Sequence, residues 1–212
     1  MEFDLFLKNI SKIQNVALLG EDAHKKMAPK ERIAFMKDFD ALVANPKKAA
    51  VLMLLYPKNK KTHLVLIMRA SYNGVHSSQI AFPGGKVEIS DINYRATALR
   101  ETEEEIGVIS NKITIIKDFS ETYIPPSNFM VYPFLGYSKE LLIFKPDPNE
   151  VDGIIELSIE DLIDENFITS QVINTSYMNF IEVPGFQIEN NFVWGATAMM
   201  LSELKEVLKS TF

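Results

Sequence analysis

PGGKVEISDINYRATALRETEEEIGV, residues Pro83 to Val108, is the stretch from which the rest of the chain can be read. It opens on a glycine pair behind a proline and continues with helical periodicity. Ile92, Ala96, Leu99 and Ile106, spaced four, three and seven apart, fall on one helical face. Glu101, Glu104 and Glu105 fall together on the opposite face. Asp91 stands near the start, where a carboxylate caps free backbone N–H groups and meets the positive end of the helix dipole. Gly107 is a natural C-terminal stop.

A run of acids on a helix is most often a solvated face. Two details argue for another role here. Glu101 neighbours both Glu104 and Glu105 on the helix surface, and like charges at those spacings repel by about 0.2–0.5 kcal/mol per pair. The acids also occupy the last turns, where the dipole disfavours negative charge. A divalent cation removes both penalties, because hard Mg2+ or Mn2+ takes several carboxylate oxygens converging on one point. The cluster therefore reads as a metal site.

Gly85, Asp91 and Arg100-Glu101-Thr102-Glu103-Glu104-Glu105-Ile106-Gly107-Val108 resemble the Nudix box, G-x5-E-x7-R-E-U-x-E-E-x-G-U with U apolar. Asp91 stands where the first glutamate is usual, one extra residue separates it from Arg100, and Thr102 fills an apolar position. The R-E-x-x-E-E-x-G core is intact. Ahead of it, Arg69 and His76-Ser77-Ser78-Gln79-Ile80-Ala81-Phe82-Pro83-Gly84-Gly85 are similar to the L-L-x-x-R…H-x-G-Q-[IV]-x-F-P-G-G signature of the coenzyme A pyrophosphatase subfamily. Ser78 replaces the glycine of that signature. Glu88, Asp91 and the run Thr97 to Glu101 match the subfamily's G-G-x-x-E-x-x-D and T-A-L-R-E, which makes the extra residue a subfamily trait.

Composition narrows the classes. A chain of 212 residues with 47% apolar content buries one sizeable core, plus an appendage. No apolar run is long enough to span a bilayer, and the acidic N-terminus MEFDLFLKNI lacks the basic start of a signal peptide. The absence of cysteine fits a reducing cytoplasm. A net charge of −6 argues against a nucleic-acid partner. An acidic protein that handles an anionic diphosphate must bring local positive charge, from a metal or from arginines.

In chain order, Phe3, Phe6, Leu7, Ile10 and Ile13 predict a helix within residues 2–19, and Gly20–Ala28 a polar loop. Pro29 opens a second helix through Lys30–Leu42, with Phe35, Phe39 and Leu42 inward and Met36 at the edge of that stripe. Together they form an N-terminal helical extension, 1–47, that covers one sheet face; a homodimer contact is the alternative. The apolar run Ala49–Tyr56 is a buried strand and His63–Met68 its returning partner. Ala70–Ser78 is read as a substrate loop. Strand character follows in Lys112–Tyr123, Phe129–Tyr137 and Val151–Leu157, then a short helix capped by Ser158. Pro184-Gly185 is read as a turn, and residues Asn191 to Ala198 pass from a strand into a last helix with Met200, Leu201 and Leu204 inward. Trp194, in a W-G-A-T-A run similar to the family's C-terminal part, is assigned to the core rather than to base stacking.

The resemblance implies an α/β/α sandwich with a mixed β-sheet over residues 48–212, acting on a small-molecule nucleotide substrate. It implies hydrolysis of coenzyme A or its derivatives to 3′,5′-ADP and 4′-phosphopantetheine. ADP-ribose, NADH or dinucleoside polyphosphates are the alternative substrates, and a non-catalytic ligand sensor is a lesser one. Glu101 and Glu105 are the direct metal ligands it implies, with Glu104 and the Gly85 carbonyl beside them. By the same resemblance Arg100 would orient Glu101, and Glu104 or Glu150 would serve as general base. Arg69, His76, Gln79 and Phe82 are the residues expected to grip the substrate.

Overall fold

The computed structural model describes residues 1–30, 32–33, 45–70, 79–174 and 180–212. Strand β1 (Lys47–Lys58) is the axis of the larger sheet. Its apolar run has no alternation because both faces are covered: Leu52, Leu54 and Tyr56 enter one core cluster and Met53 and Leu55 the other. All five are fully buried. One edge of β1 pairs in parallel with β7 (Phe129–Tyr137), from Lys47↔Phe129 to Leu55↔Tyr137. Its other edge pairs antiparallel first with β4 (Gly84–Lys86) and then, from Leu55 onward, with β2 (Lys61–Arg69). The expected hairpin thus forms, and β1 and β2 part to admit β3 (Ile80–Ala81) and β4. Outside β2 lies β8 (Val151–Ser158). Beyond β7 lie β5 (Thr114–Asp118) and β6 (Thr122–Ile124), so the predicted single strand over Lys112–Tyr123 is two.

The N-terminal helix is broken into α1 (Phe3–Lys8) and α2 (Ile10–Asn15). Asn9 separates them, and its side-chain amide donates to the Leu5 carbonyl at 2.8 Å, a local bond that competes with helix continuation. The predicted polar loop contains α3 (Glu21–Lys25), whose Ala23 and His24 are buried. Its five residues are too few to show a period in sequence. Ile33 donates its backbone N–H to the Pro29 carbonyl, as a helix there requires, while Phe35, Met36, Phe39 and Leu42 lie outside the described residues. Phe6 and Ile13 are fully buried and share a core with Met53, Leu201 and Leu204, so α1 and α2 cover the sheet. Replacing Phe6 by Ala should cost about 3–5 kcal/mol, read as a lowered midpoint in urea or heat; an unchanged midpoint would show that α1 adds nothing to the common core.

Helix α4 (Tyr94–Ile106) packs on one face of the sheet. The other face carries α1–α3 and the long α6 (Gly195–Thr211), so the layers are α/β/α. Met200, Leu201 and Leu204 point inward on α6 as predicted. Between β8 and α6 stand α5 (Ile159–Ile163), N-capped by Ser158, and a three-stranded antiparallel sheet of β9 (Ile168–Ile173), β10 (Ile181–Ile188) and β11 (Asn191–Trp194). Pro184 and Gly185 are not a turn: they lie within β10, and the chain reverses at Glu189-Asn190, with Glu189 at φ 51°. Gly185 is needed for close approach, since a Cβ there would strike the Val193 carbonyl and the Phe192 ring. Pro184 sits just past the end of pairing with β11, where its missing N–H breaks no bond to that strand.

Candidate active site

The site is built where β4 runs into α4. Gly84 pairs with Val51 and Gly85 with Ala50. At φ 149° Gly84 occupies backbone that only glycine adopts freely, and a Cβ would strike the Ala50 carbonyl. Helix α4 starts later than predicted. Its N-cap is Asn93, whose side chain accepts from Ala96 N–H at 2.9 Å. Ile92 therefore precedes the helix and is exposed, and the buried face carries Thr97, Ala98, Thr102, Glu105 and Ile106 instead. Thr102 fits an apolar slot because its hydroxyl donates within the helix to the Ala98 carbonyl at 2.7 Å. Gly107 ends the helix in the left-handed conformation, as expected.

Asp91 is not the cap. Its carboxylate accepts from Glu88 N–H (2.9 Å) and the Thr97 hydroxyl (2.8 Å), and Arg100 grips both oxygens at 3.0 Å. Those Arg100 hydrogen bonds hold it well below the usual carboxylate range, against the opposing effect of burial. The same guanidinium reaches Glu101 at 2.9 Å, Glu104 at 2.8 Å and the Lys86 carbonyl at 3.1 Å. Arg100 thus holds three carboxylates in fixed relation.

Glu105 is 1% exposed. It accepts from Gly84 N–H at 2.8 Å and lies 3.2 Å from Arg69 Nη1. Burial pushes its carboxyl up to about 7; the Gly84 N–H and Arg69 oppose this, while the charges of Glu101 and Glu150 add to it. Glu101 is likewise raised, first by burial, against the pull of Arg100. Glu104 is exposed. Glu150 arrives on a loop fastened to the end of α4: Lys145 N–H donates to the Ile106 carbonyl and Asp147 N–H to the Glu105 carbonyl, at 2.9 and 3.0 Å. The Glu150 carbonyl accepts from Ala70 N–H at 2.9 Å.

Beside the glycine pair opens a cavity of about 360 Å3. Arg69 and Gln79 border it, joined by a bond from Arg69 N–H to the Gln79 carbonyl at 3.0 Å. Phe82 stands in its wall but is 1% exposed, so it supports that wall from the core rather than presenting its ring. His76 and the rest of residues 71–78 lie outside the described residues. Trp194, assigned from sequence to the core, is only half-buried and lines this cavity with Ile124 and Phe129. No local signal marks it, because β7 and β11 are far apart in sequence.

A NUDIX domain family model matches residues 46–174, a span that takes in the glycine pair, α4 and the Glu150 loop. The chain belongs to the Nudix family. Nudix hydrolases named NudL from Yersinia pestis (strain Pestoides F) and Yersinia pseudotuberculosis (serotype O:1b, strain IP 31758) are each 29% identical to it over 163 residues, covering 77% of this chain and 80% of theirs. Among solved structures, the Nudix hydrolase RenU of M. smegmatis superposes with a TM-score of 0.54 at 16% identity, over 78% of this chain and 87% of its own. A MutT/nudix family protein of Enterococcus faecalis gives 0.52 at 15% identity, over 92% and 76%. These two share the fold. The Nudix chain is a pyrophosphohydrolase of nucleoside-diphosphate-linked small molecules, an activity that in this family generally uses divalent metal ions. Among the described residues no helix is long and apolar enough to cross a membrane.

The donor set suits such an ion. Among the described residues no three acidic or histidine side chains are already gathered around one point; each Nudix acid is engaged by Arg100, Arg69 or Gly84 N–H instead. The oxygens are nevertheless all hard carboxylates on adjoining turns, and Gly85 leaves room against them. A Cβ at Gly85 would fall well inside contact distance of the Glu101 carboxylate. Gly85→Ala should therefore displace Glu101 and weaken Mn2+ binding at least about 10-fold, with little loss of melting temperature because the atom displaced is the end of a flexible side chain. Unchanged Mn2+ affinity by calorimetry would disprove the cradle.

Proposed function

We propose that this Nudix enzyme hydrolyses coenzyme A or its derivatives, cleaving the diphosphate to give 3′,5′-ADP and 4′-phosphopantetheine. The observation that supports it is the meeting of Arg69 with Gln79 in one cavity that ends at Gly84-Gly85. The two ends of the subfamily signature thus border a single space.

In this scheme Glu101 and Glu105 would hold Mg2+ or Mn2+, with Glu104 and the Gly85 carbonyl as further oxygen donors. Metal bound there would neutralise the diphosphate and lower the pKa of a coordinated water. Arg100 keeps Glu101 and Glu104 oriented through its fixed grip on Asp91. Glu104 or Glu150 accepts the proton of the attacking water. Arg69, planar and in reach of the cavity, pairs with phosphate oxygens, and Gln79 donates its amide to the same substrate. We place the enzyme in the cytoplasm.

The test is product analysis after incubation with coenzyme A and Mg2+ or Mn2+, with ADP-ribose alongside. Formation of 3′,5′-ADP and 4′-phosphopantetheine well above the rate on ADP-ribose is expected. Turnover of ADP-ribose alone would keep the Nudix chemistry and reject coenzyme A.

A further inference from the structure

The cavity is lined by two unlike kinds of residue. The glycine pair and Arg69 line it together with Ile124, Phe129 and Trp194, and Trp194 is the single tryptophan of the chain. We propose that Trp194 is the stacking surface for the adenine base of the substrate. The proposal rests on the reading above only in placing a diphosphate at the glycine pair.

Trp194 is fixed by backbone on both sides. It pairs with Gly185 across β10 and β11, in extended conformation at φ −138° and ψ −178°. Gly195 follows at φ 65°, and a Cβ there would meet nothing within 4 Å, so the requirement for glycine is the turn itself. That turn carries the chain directly into α6. Val193 before it and Ala198 one turn into α6 are buried to 1% and 0% exposure, whereas Trp194 is partly exposed and lines the cavity. A rigid ring held partly open in this way presents a flat apolar face at little cost in ordering.

The chemistry of the wall selects the occupant. A pantetheine arm carries amide groups that need hydrogen-bond partners, and this cavity is lined largely by apolar side chains, among them Val51, Ile80, Ile124, Phe129, Trp194 and Met200. The Thr197 hydroxyl, also in the wall, is already committed to the Ile80 carbonyl at 2.9 Å. A purine has apolar faces and keeps its polar atoms on its edge, so it stacks on indole without stranding a donor. A volume of about 360 Å3 lies at the small end of ligand pockets; it suits one nucleoside, with the other half of the substrate extending past the glycine pair. Arg32, whose guanidinium donates to the Tyr123 carbonyl at 2.5 Å, adds positive charge to the lining, as a phosphorylated ribose would favour.

Because the chain has one tryptophan, its emission reports this site alone. Wild-type protein would be titrated separately with AMP and with 4′-phosphopantetheine, each carrying a phosphate and neither cleavable at a diphosphate. Saturable quenching by AMP and none by 4′-phosphopantetheine is the expected result. Quenching by 4′-phosphopantetheine, or none by AMP, would overturn the proposal. In calorimetry Trp194→Ala should weaken AMP binding about 10- to 100-fold, while Trp194→Phe, which keeps a stacking face, should stay within about 5-fold of wild type. Equal affinity in the alanine variant would also overturn it. Failure to hydrolyse coenzyme A would leave these titrations unaffected, so the two proposals fail separately.

Discussion

Replacing Glu105 by glutamine should lower kcat/KM on the order of 10³-fold while leaving the protein folded. The side chain is almost fully buried, and because glutamine is nearly isosteric with glutamate the change opens no cavity. Its amide oxygen can still accept from Gly84 N–H, which preserves the hold of β4 on α4. What disappears is a hard anionic oxygen between Gly84 and Arg69, the donor a divalent ion requires. Arg69 is partly exposed and returns to solvent at small cost. The metal-free variant should therefore melt no lower than wild type at pH 8. Steady-state kinetics beside a thermal melt separates the outcomes: near-normal turnover would reject Glu105 as a metal ligand, and loss of turnover with loss of fold would make it structural.

Much of the frame was legible from local pattern. The unbroken apolar run of β1 signals burial on both faces, and the structure covers them with α4 and α6. Gly107 and Ser158 end and begin helices by rules confined to a few residues. The errors arise where a residue's role is decided by chain far away. Asp91 has the chemistry of an N-cap, yet its carboxylate goes to Arg100, and Asn93 two residues on takes the cap. Pro184-Gly185 has turn composition, but Gly185 is spent on the approach of Phe192 and Val193. Trp194 reads as core because large aromatics are usually buried; only the cavity wall it shares with Ile124 and Phe129, remote in sequence, shows it open. In the acidic cluster the residue types were readable and their inequality was not: Glu105 is buried, Glu101 half-buried and Glu104 exposed. That grading comes from how α4 rolls on the sheet.

The same grading makes metal binding and stability pH-linked in a definite direction. Glu105 ionises near 7 in the folded protein, against an ordinary value of 4.5. Below pH 4.5 the carboxyl is protonated folded and unfolded, and burial costs no charge. Between 4.5 and 7 the unfolded chain releases the proton and the folded one keeps it, so metal-free stability falls as pH rises. Above 7 both forms are ionised and the loss levels off at about 3 kcal/mol. The raised Glu101 acts in the same sense. Asp91 and Glu160 are shifted downward, so their contributions are lost only in acid, below this window. A divalent ion needs Glu105 ionised. Mn2+ should therefore bind more weakly at pH 6 than at pH 8 and release a proton at pH 6, seen as a calorimetric enthalpy that depends on the buffer's heat of ionisation. It should also raise the melting temperature more at pH 8, where it offsets the cost of a buried charge that the metal-free protein carries. Identical Mn2+-induced shifts at the two pH values, with no buffer dependence, would mean that the ion does not engage Glu105.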